Sequence, residues 1–259
     1  MQNYTEMFTL TGNIALITGG TSGLGCAIAA AFLQNGADVA VCGGHPEKAA
    51  FLSELAQQNG RRFLALPCDI TDTVQVEEMV AEISRTLGAV SLLVNSAGIN
   101  KLLPAEDYDD ASFAKVMNIN VNGAHIVTRT VGKQMMIPAR HGHIVNISSV
   151  KGVIGTTQNY AAYCASKGAI NMYTKQIACE WGKYGITCNA IAPTFVRTPI
   201  NAAQLDNAEF YDTLCKRIPL QRIGQEKDIA AAAVFLCSEG ASFISGQILG
   251  VDGGLTAMQ

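Results

Sequence analysis

The 259-residue chain carries 18 basic against 21 acidic residues, a net charge of −3 with no block of either sign. The basic stripe that nucleic-acid binding needs for phosphate neutralisation is therefore missing, and no apolar run approaches the ~18 residues of a membrane span. Hydrophobic residues make up 49% and charged residues only 15%, which suits a sheet covered on both faces with further surface buried between subunits. Residues 1–12 lack the basic and apolar regions of a secretory signal. The eight cysteines show neither a CxxC pair nor zinc-type Cys/His spacing, so they read as buried free thiols of a reducing cytoplasm.

Taken in chain order, short apolar runs alternate with longer helical patterns. The predicted strands are Ile14–Thr18, Val39–Cys42, Phe63–Pro67, Ser91–Asn95, His143–Ser148, Thr187–Ile191 and Gln247–Val251. The clearest helices between them are Leu24–Gln34, Val74–Leu87, Phe113–Met136 and Tyr163–Trp181. Alternation of this kind predicts an α/β fold: a Rossmann-type, doubly wound parallel sheet of about seven strands with helices on both faces. With no linker, repeat or low-complexity segment, one domain spans 1–259, after a tail over 1–10 and with a substrate lid at about 193–218. Polar Asn201, Gln204 and Asn207 belong to that lid.

The first strand runs into Gly19-Gly-Thr-Ser-Gly-Leu-Gly25 and then a helix. Glycines let the backbone approach an anion, and the unpaired N–H groups of the helix N-terminus favour its charge. Gly19, Thr21, Ser22, Gly23, Leu24 and Gly25 thus form a predicted pyrophosphate cradle. Further on, Tyr163 and Lys167 stand four apart on a predicted helix and share a face. A phenol ionises near ~10, and a neighbouring ammonium favours the phenolate, as acid/base chemistry requires. His141 and His143 lie one glycine apart, with no acidic or third histidine partner near them in sequence. They read as the turn into the fifth strand, and no metal is expected.

The run TGGTSGLG at 18–25, Asp69 after the third strand, Asn95-Ser-Ala-Gly98, Asn120 in Asn-Val-Asn-Gly123, Ser149 and Tyr163-Cys-Ala-Ser-Lys167 occur in one order. Together they resemble the short-chain dehydrogenase/reductases over roughly Leu10 to Gly254. The resemblance implies an NAD(P)-dependent oxidoreductase interconverting a secondary alcohol and a ketone. Its implied catalytic set is Asn120, Ser149, Tyr163 and Lys167, with Ser148 as the rival serine. The interval from Ser149 to Tyr163 is one residue longer than is usual in the family. Asp69, Ile70, Asn95, Ala97 and Gly98 are implied to hold the nucleotide, together with Pro193, Val196 and Thr198. Thr194 replaces the family's usual glycine. A homotetramer is implied as well.

Cofactor choice depends on the residues ending the second strand, where an acid binds the ribose 2′-OH and an arginine accommodates a 2′-phosphate. Gly43, Gly44 and His45 supply neither, so NAD(H) and NADP(H) both remain open. Ser22 and Lys48 are further candidates for contact with a 2′-phosphate. For the substrate, Lys101, Lys151 and Arg197 are candidate carboxylate ligands, and Tyr160 is expected to line the pocket beside Ser149 and Tyr163. Gluconate and ketogluconate dehydrogenases of the family carry a basic residue in a segment similar to that of Lys101. A sugar acid or polyol is therefore expected, with a 3-oxoacyl carrier-protein reductase or hydroxysteroid dehydrogenase as the enzymatic alternatives. A nucleotide-binding regulator without catalysis would lack one of Ser149, Tyr163 or Lys167, and all three are present.

Overall fold

The computed structural model describes residues 4–198 and 205–258. Residues 199–204, which include Asn201 and Gln204 of the expected lid, lie outside the described residues. Seven strands form at runs rich in aliphatic residues: β1 (Ile14–Thr18), β2 (Asp38–Gly43), β3 (Phe63–Pro67), β4 (Leu92–Asn95), β5 (Gly142–Ile147), β6 (Ile186–Pro193) and β7 (Ile248–Val251). All pair in parallel, in the order β3-β2-β1-β4-β5-β6-β7. The strand order reverses between β1 and β4, which opens a crevice at their carboxyl ends.

The sheet is covered on both faces, as its apolar strands require. One face packs against α1 (Gly23–Gln34), α2 (Phe51–Gln58) and a late helix, Glu226–Leu236, through Ile28, Phe32, Leu52 and Ile229. The other packs against α3 (Thr73–Thr86) and the long helical segment at 110–139, through Val80, Ile83, Val127 and Met136. Phe32, Ile28 and Ile83 are wholly buried, each contributing on the order of 1.5–3 kcal/mol by leaving water. Caps hold the helix starts: Asp72 accepts from Val74 N at 2.9 Å ahead of α3, an interaction of about 1 kcal/mol. All eight cysteines are free thiols. Among the described residues no helix is long and apolar enough to cross a membrane.

The helix predicted without a break at Phe113–Met136 is corrected by the structure. It runs as α4 (Asp110–Met117), a π turn at Asn118–Gly123, α5 (Ala124–Val131), a second π turn at Gly132–Met136 and a short α6 (Ile137–Ala139). At the end of the first π turn Gly123 lies so close to Ile70 that an added Cβ would stand 2.6 Å from its Cδ1. Periodicity also missed α2. After α7 (Ala161–Trp181), the lid region contains α8 (Ala208–Lys216), capped by Asn207, whose side chain accepts from Phe210 N at 3.0 Å. The Glu226–Leu236 helix is α9, and it opens on a capping box of Gln225 and Asp228.

Candidate active site

A cavity of about 490 Å³ opens over the carboxyl ends of β1, β4, β5 and β6. Its floor at β1 is the glycine turn. Gly19 has φ +65°, and a Cβ there would stand 2.8 Å from Ala97 Cα; at Gly25 it would stand 2.4 Å from Gly19 O. Only glycine permits these approaches, so the chain folds flat against the start of α1. Ser22, the residue capping α1, makes no side-chain cap bond, and the first turn holds no acid. The N–H groups there remain available to an anion. Thr18 Oγ1 accepts from Ser96 N at 3.1 Å and Ala97 N at 3.2 Å, which pins the β4 loop beside the turn. Gly19, Ser22, Gly23, Leu24, Gly25, Ala97, Gly98, Pro193, Val196 and Thr198 all line the cavity. A cradle of backbone donors running from α1 to the β6 loop fits a dinucleotide.

Tyr163, Lys167 and Ser149 meet in this cavity. Ser149 Oγ, in the same cavity as the Tyr163 phenol, accepts from Lys151 N at 3.1 Å and donates to Pro193 O at 3.5 Å. Burial pushes that phenol up to about 12, against the smaller lowering by Ser149. Lys167 Nζ stands 5.5 Å from the Tyr163 ring centroid and donates to Ile147 O at 2.7 Å. Burial brings its pKa down to about 8. Before cofactor binds, desolvation therefore outweighs the ammonium's effect on the phenol. Ser148 is committed elsewhere, its hydroxyl donating to Asn171 Oδ1 at 2.6 Å.

Asn120 does not line the cavity but braces it. Its Oδ1 accepts from Ile99 N at 2.8 Å, while Nδ2 donates to Ile99 O at 2.9 Å and Ser166 Oγ at 3.0 Å. The π turn places it there, joining the β4 loop to the helix of Tyr163. Its neighbours Asn118 and Asn122 bond to each other instead.

Several other expected ligands make contacts of their own. Asn95 is drawn inward, Nδ2 donating to Thr128 Oγ1 at 2.9 Å and Asn146 Oδ1 at 2.8 Å, so its side chain braces β4, β5 and α5 rather than facing a nucleotide. Asp69 Oδ1 accepts from Thr71 N at 2.9 Å and closes its own turn, and Ile70 is buried against Gly123. Thr21 fills the space beside Gly43, where an added Cβ would meet its Oγ1 at 2.7 Å, whereas nothing lies within 4 Å of one at Gly44. His45 is exposed and paired with Glu47 at 3.1 Å.

Two of the expected substrate cations are paired with carboxylates. Lys101 is held by Asp109, at 3.4 Å, and by Ser112. Arg197 is held by Asp206 at 3.0 Å. Neither lines the cavity, because a nearby carboxylate captures each long side chain. Lys151 and Tyr160 do line it, the ammonium lying 5.0 Å from the Tyr160 ring centroid. Arg217, just past the end of α8, also lines the cavity and was not anticipated from the sequence. Burial, with Arg217 nearby, pushes the Lys151 pKa down. Neither cation forms an ion pair among the described residues. Thr194 is a second addition: it lines the cavity with its Oγ1 buried and without a hydrogen-bond partner among the described residues. His141 and His143 have no acidic partner near them in sequence, but the fold brings Glu239 within reach of both.

A family model described as enoyl-(acyl carrier protein) reductase matches residues 19–256. The chain is 36% identical over 254 residues to gluconate 5-dehydrogenase of Gluconobacter oxydans, covering 98% of each. It is 38% identical over 256 residues to galactitol 2-dehydrogenase (L-tagatose-forming) of Cereibacter sphaeroides, covering 98% of this chain and 99% of the relative. Its fold matches a crystal structure of gluconate 5-dehydrogenase from Burkholderia cenocepacia in complex with NADP and tartrate, at TM-score 0.92 and 36% identity, over 99% of this chain and all of the other. The seven-stranded parallel sheet agrees with this structural likeness. The chain belongs to the short-chain dehydrogenase/reductase family and is an NAD(P)-dependent oxidoreductase acting on CH–OH groups.

Proposed function

We propose that the substrate is a sugar acid, its secondary alcohol interconverted with a ketone by proton exchange at Tyr163. The observation that carries the reading is the pair Lys151 and Arg217, two cations without carboxylate partners among the described residues, lining the same cavity as Tyr163. A carboxylate satisfies both charges, and desolvation strengthens the attraction. The relatives named for gluconate, and the tartrate in the Burkholderia cenocepacia complex, support the same chemistry.

Bound nicotinamide supplies the acceptor of hydride in oxidation and the donor in reduction. Gly19–Gly25, Pro193, Val196 and Thr198 would hold the dinucleotide. Ser149 donates to the substrate oxygen and stabilises charge developing there. Tyr163 Oη takes the hydroxyl proton in oxidation and returns it in reduction. Lys167, fixed by Ile147 O, favours the phenolate form, and Asn120 positions the wall opposite. A homotetramer completes the proposal, supported by apolar Phe113 on α4 and Met172 on α7, both exposed in the single chain. A monomeric mass by light scattering argues against that assembly.

The test is a panel of aldonates, ketoaldonates and matched neutral polyols, assayed with both nicotinamide cofactors. Acids are expected to show at least tenfold higher kcat/KM than the matched polyols. Lys151→Met and Arg217→Met are expected to raise KM for acids alone. Equal use of polyols, or unchanged KM for acids in both variants, removes the sugar-acid reading.

A further inference from the structure

His141 and His143 flank Gly142 at the amino end of β5, and Glu239 opens the 3-10 turn Glu239–Ala241 after α9. One ligand atom from each lies within 4.8 Å of the others. This cluster is at the amino ends of the strands, across the sheet from Ser149 at the carboxyl end of β5. Nothing in the reaction uses it.

His143 is 4% exposed, and its Nδ1 pairs with Thr187 Oγ1 on β6 at 2.8 Å. With Nδ1–H donated to that hydroxyl, the Nε2 lone pair is left over. No other hydrogen bond holds the ring among the described residues. The His141 ring stands edge-on to it, 5.4 Å between centroids. Glu239 is exposed and has no ion-pair partner among the described residues.

We propose that His141, His143 and Glu239 bind a divalent transition-metal cation of the zinc type, as a structural clasp. Two imidazoles and one carboxylate suit Zn²⁺, Co²⁺ or Ni²⁺ and leave a fourth position for water. Metal bonds of about 2.0–2.2 Å put tetrahedral ligand atoms roughly 3.5 Å apart. The cluster closes to that geometry by rotation of Glu239 and the half-buried His141 about a fixed His143. Thr187 supplies the outer hydrogen bond that sets the tautomer and aims the ring. The clasp joins the amino ends of β5 and β6 to the turn that precedes β7. Its carboxylate comes from far along the chain, so no local spacing betrays it.

The site is tested on the full-length enzyme, stripped with chelator and desalted, by titration with Co²⁺ alone. One equivalent per chain is expected, with d–d absorption and without a thiolate charge-transfer band. His141→Gln and Glu239→Gln should each weaken binding at least tenfold, and Thr187→Val by about tenfold. His45→Gln and His125→Gln should leave it unchanged. His143 is left intact, being part of the core. Zn²⁺ at one hundred times its Kd should raise Tm by roughly 5 °C in the wild type and not in Glu239→Gln. No stoichiometric binding, unchanged affinity in both ligand variants, or a thiolate band would each overturn the proposal.

Discussion

Replacing Lys167 by methionine should stabilise the cofactor-free enzyme while abolishing its turnover. The ammonium is buried, and burial moves its pKa from 10.5 to about 8. At about 1.4 kcal/mol per pH unit, this displacement disfavours the folded state by about 3 kcal/mol where the lysine is charged in both states. Between the two values the unfolded chain binds more protons than the folded one, so stability rises with pH across that window. The penalty is complete at pH 7 and has fallen to about 1.4 kcal/mol at pH 9.5. Methionine removes it but leaves Ile147 O without its 2.7 Å donor, a loss of about 1 kcal/mol. The variant should therefore gain about 2 kcal/mol at pH 7, roughly 5 °C in Tm, and almost nothing at pH 9.5. Calorimetric melts of both proteins at the two pH values measure this. A lower Tm for Lys167→Met at pH 7, or an advantage that does not shrink with pH, refutes the argument that burial of charge dominates at this position.

Tyr163→Phe should keep cofactor affinity, measured by nicotinamide fluorescence, and lose turnover by about 10²–10⁴; unchanged turnover removes the tyrosine from the chemistry. Because burial pushes the phenol up to about 12, the phenolate is scarce at neutral pH. Oxidation kcat/KM should then rise about tenfold per unit between pH 6 and 8, while reduction, which uses the protonated phenol, stays flat. An oxidation profile flat over that range counts against the assignment. Gly44→Asp adds a carboxylate where nothing lies within 4 Å of an added Cβ, and should lower kcat/KM for NADP(H) relative to NAD(H) at least tenfold. An unaltered ratio places the ribose 2′ position elsewhere.

Local pattern carries far where the physics is local. Strand positions follow from short, mainly apolar runs, and all seven strands lie within two residues of their predicted bounds. The glycine turn is legible because Gly19 and Gly25 sit where any Cβ would collide. Tyr163 and Lys167 are legible because a helix brings residues four apart onto one face. The π turn around Asn120 has no such signal: it ends where Gly123 meets Ile70, more than fifty residues earlier in the chain.

What the sequence alone determined is the alternation of strand and helix, the glycine turn and the pairing of Tyr163 with Lys167 on one helix face, all set by contacts within one turn or one strand–turn–helix unit. Only the tertiary structure decided which cations line the cavity. Asp109 takes Lys101 and Asp206 takes Arg197, while Arg217 is carried to the cavity by the end of α8. It also brought Glu239 to His141 and His143, filled the space beside Gly43 with Thr21, and turned Asn95 inward. A long charged side chain settles on whichever opposite charge the fold places within reach, and that neighbour is decided by the packing of distant segments.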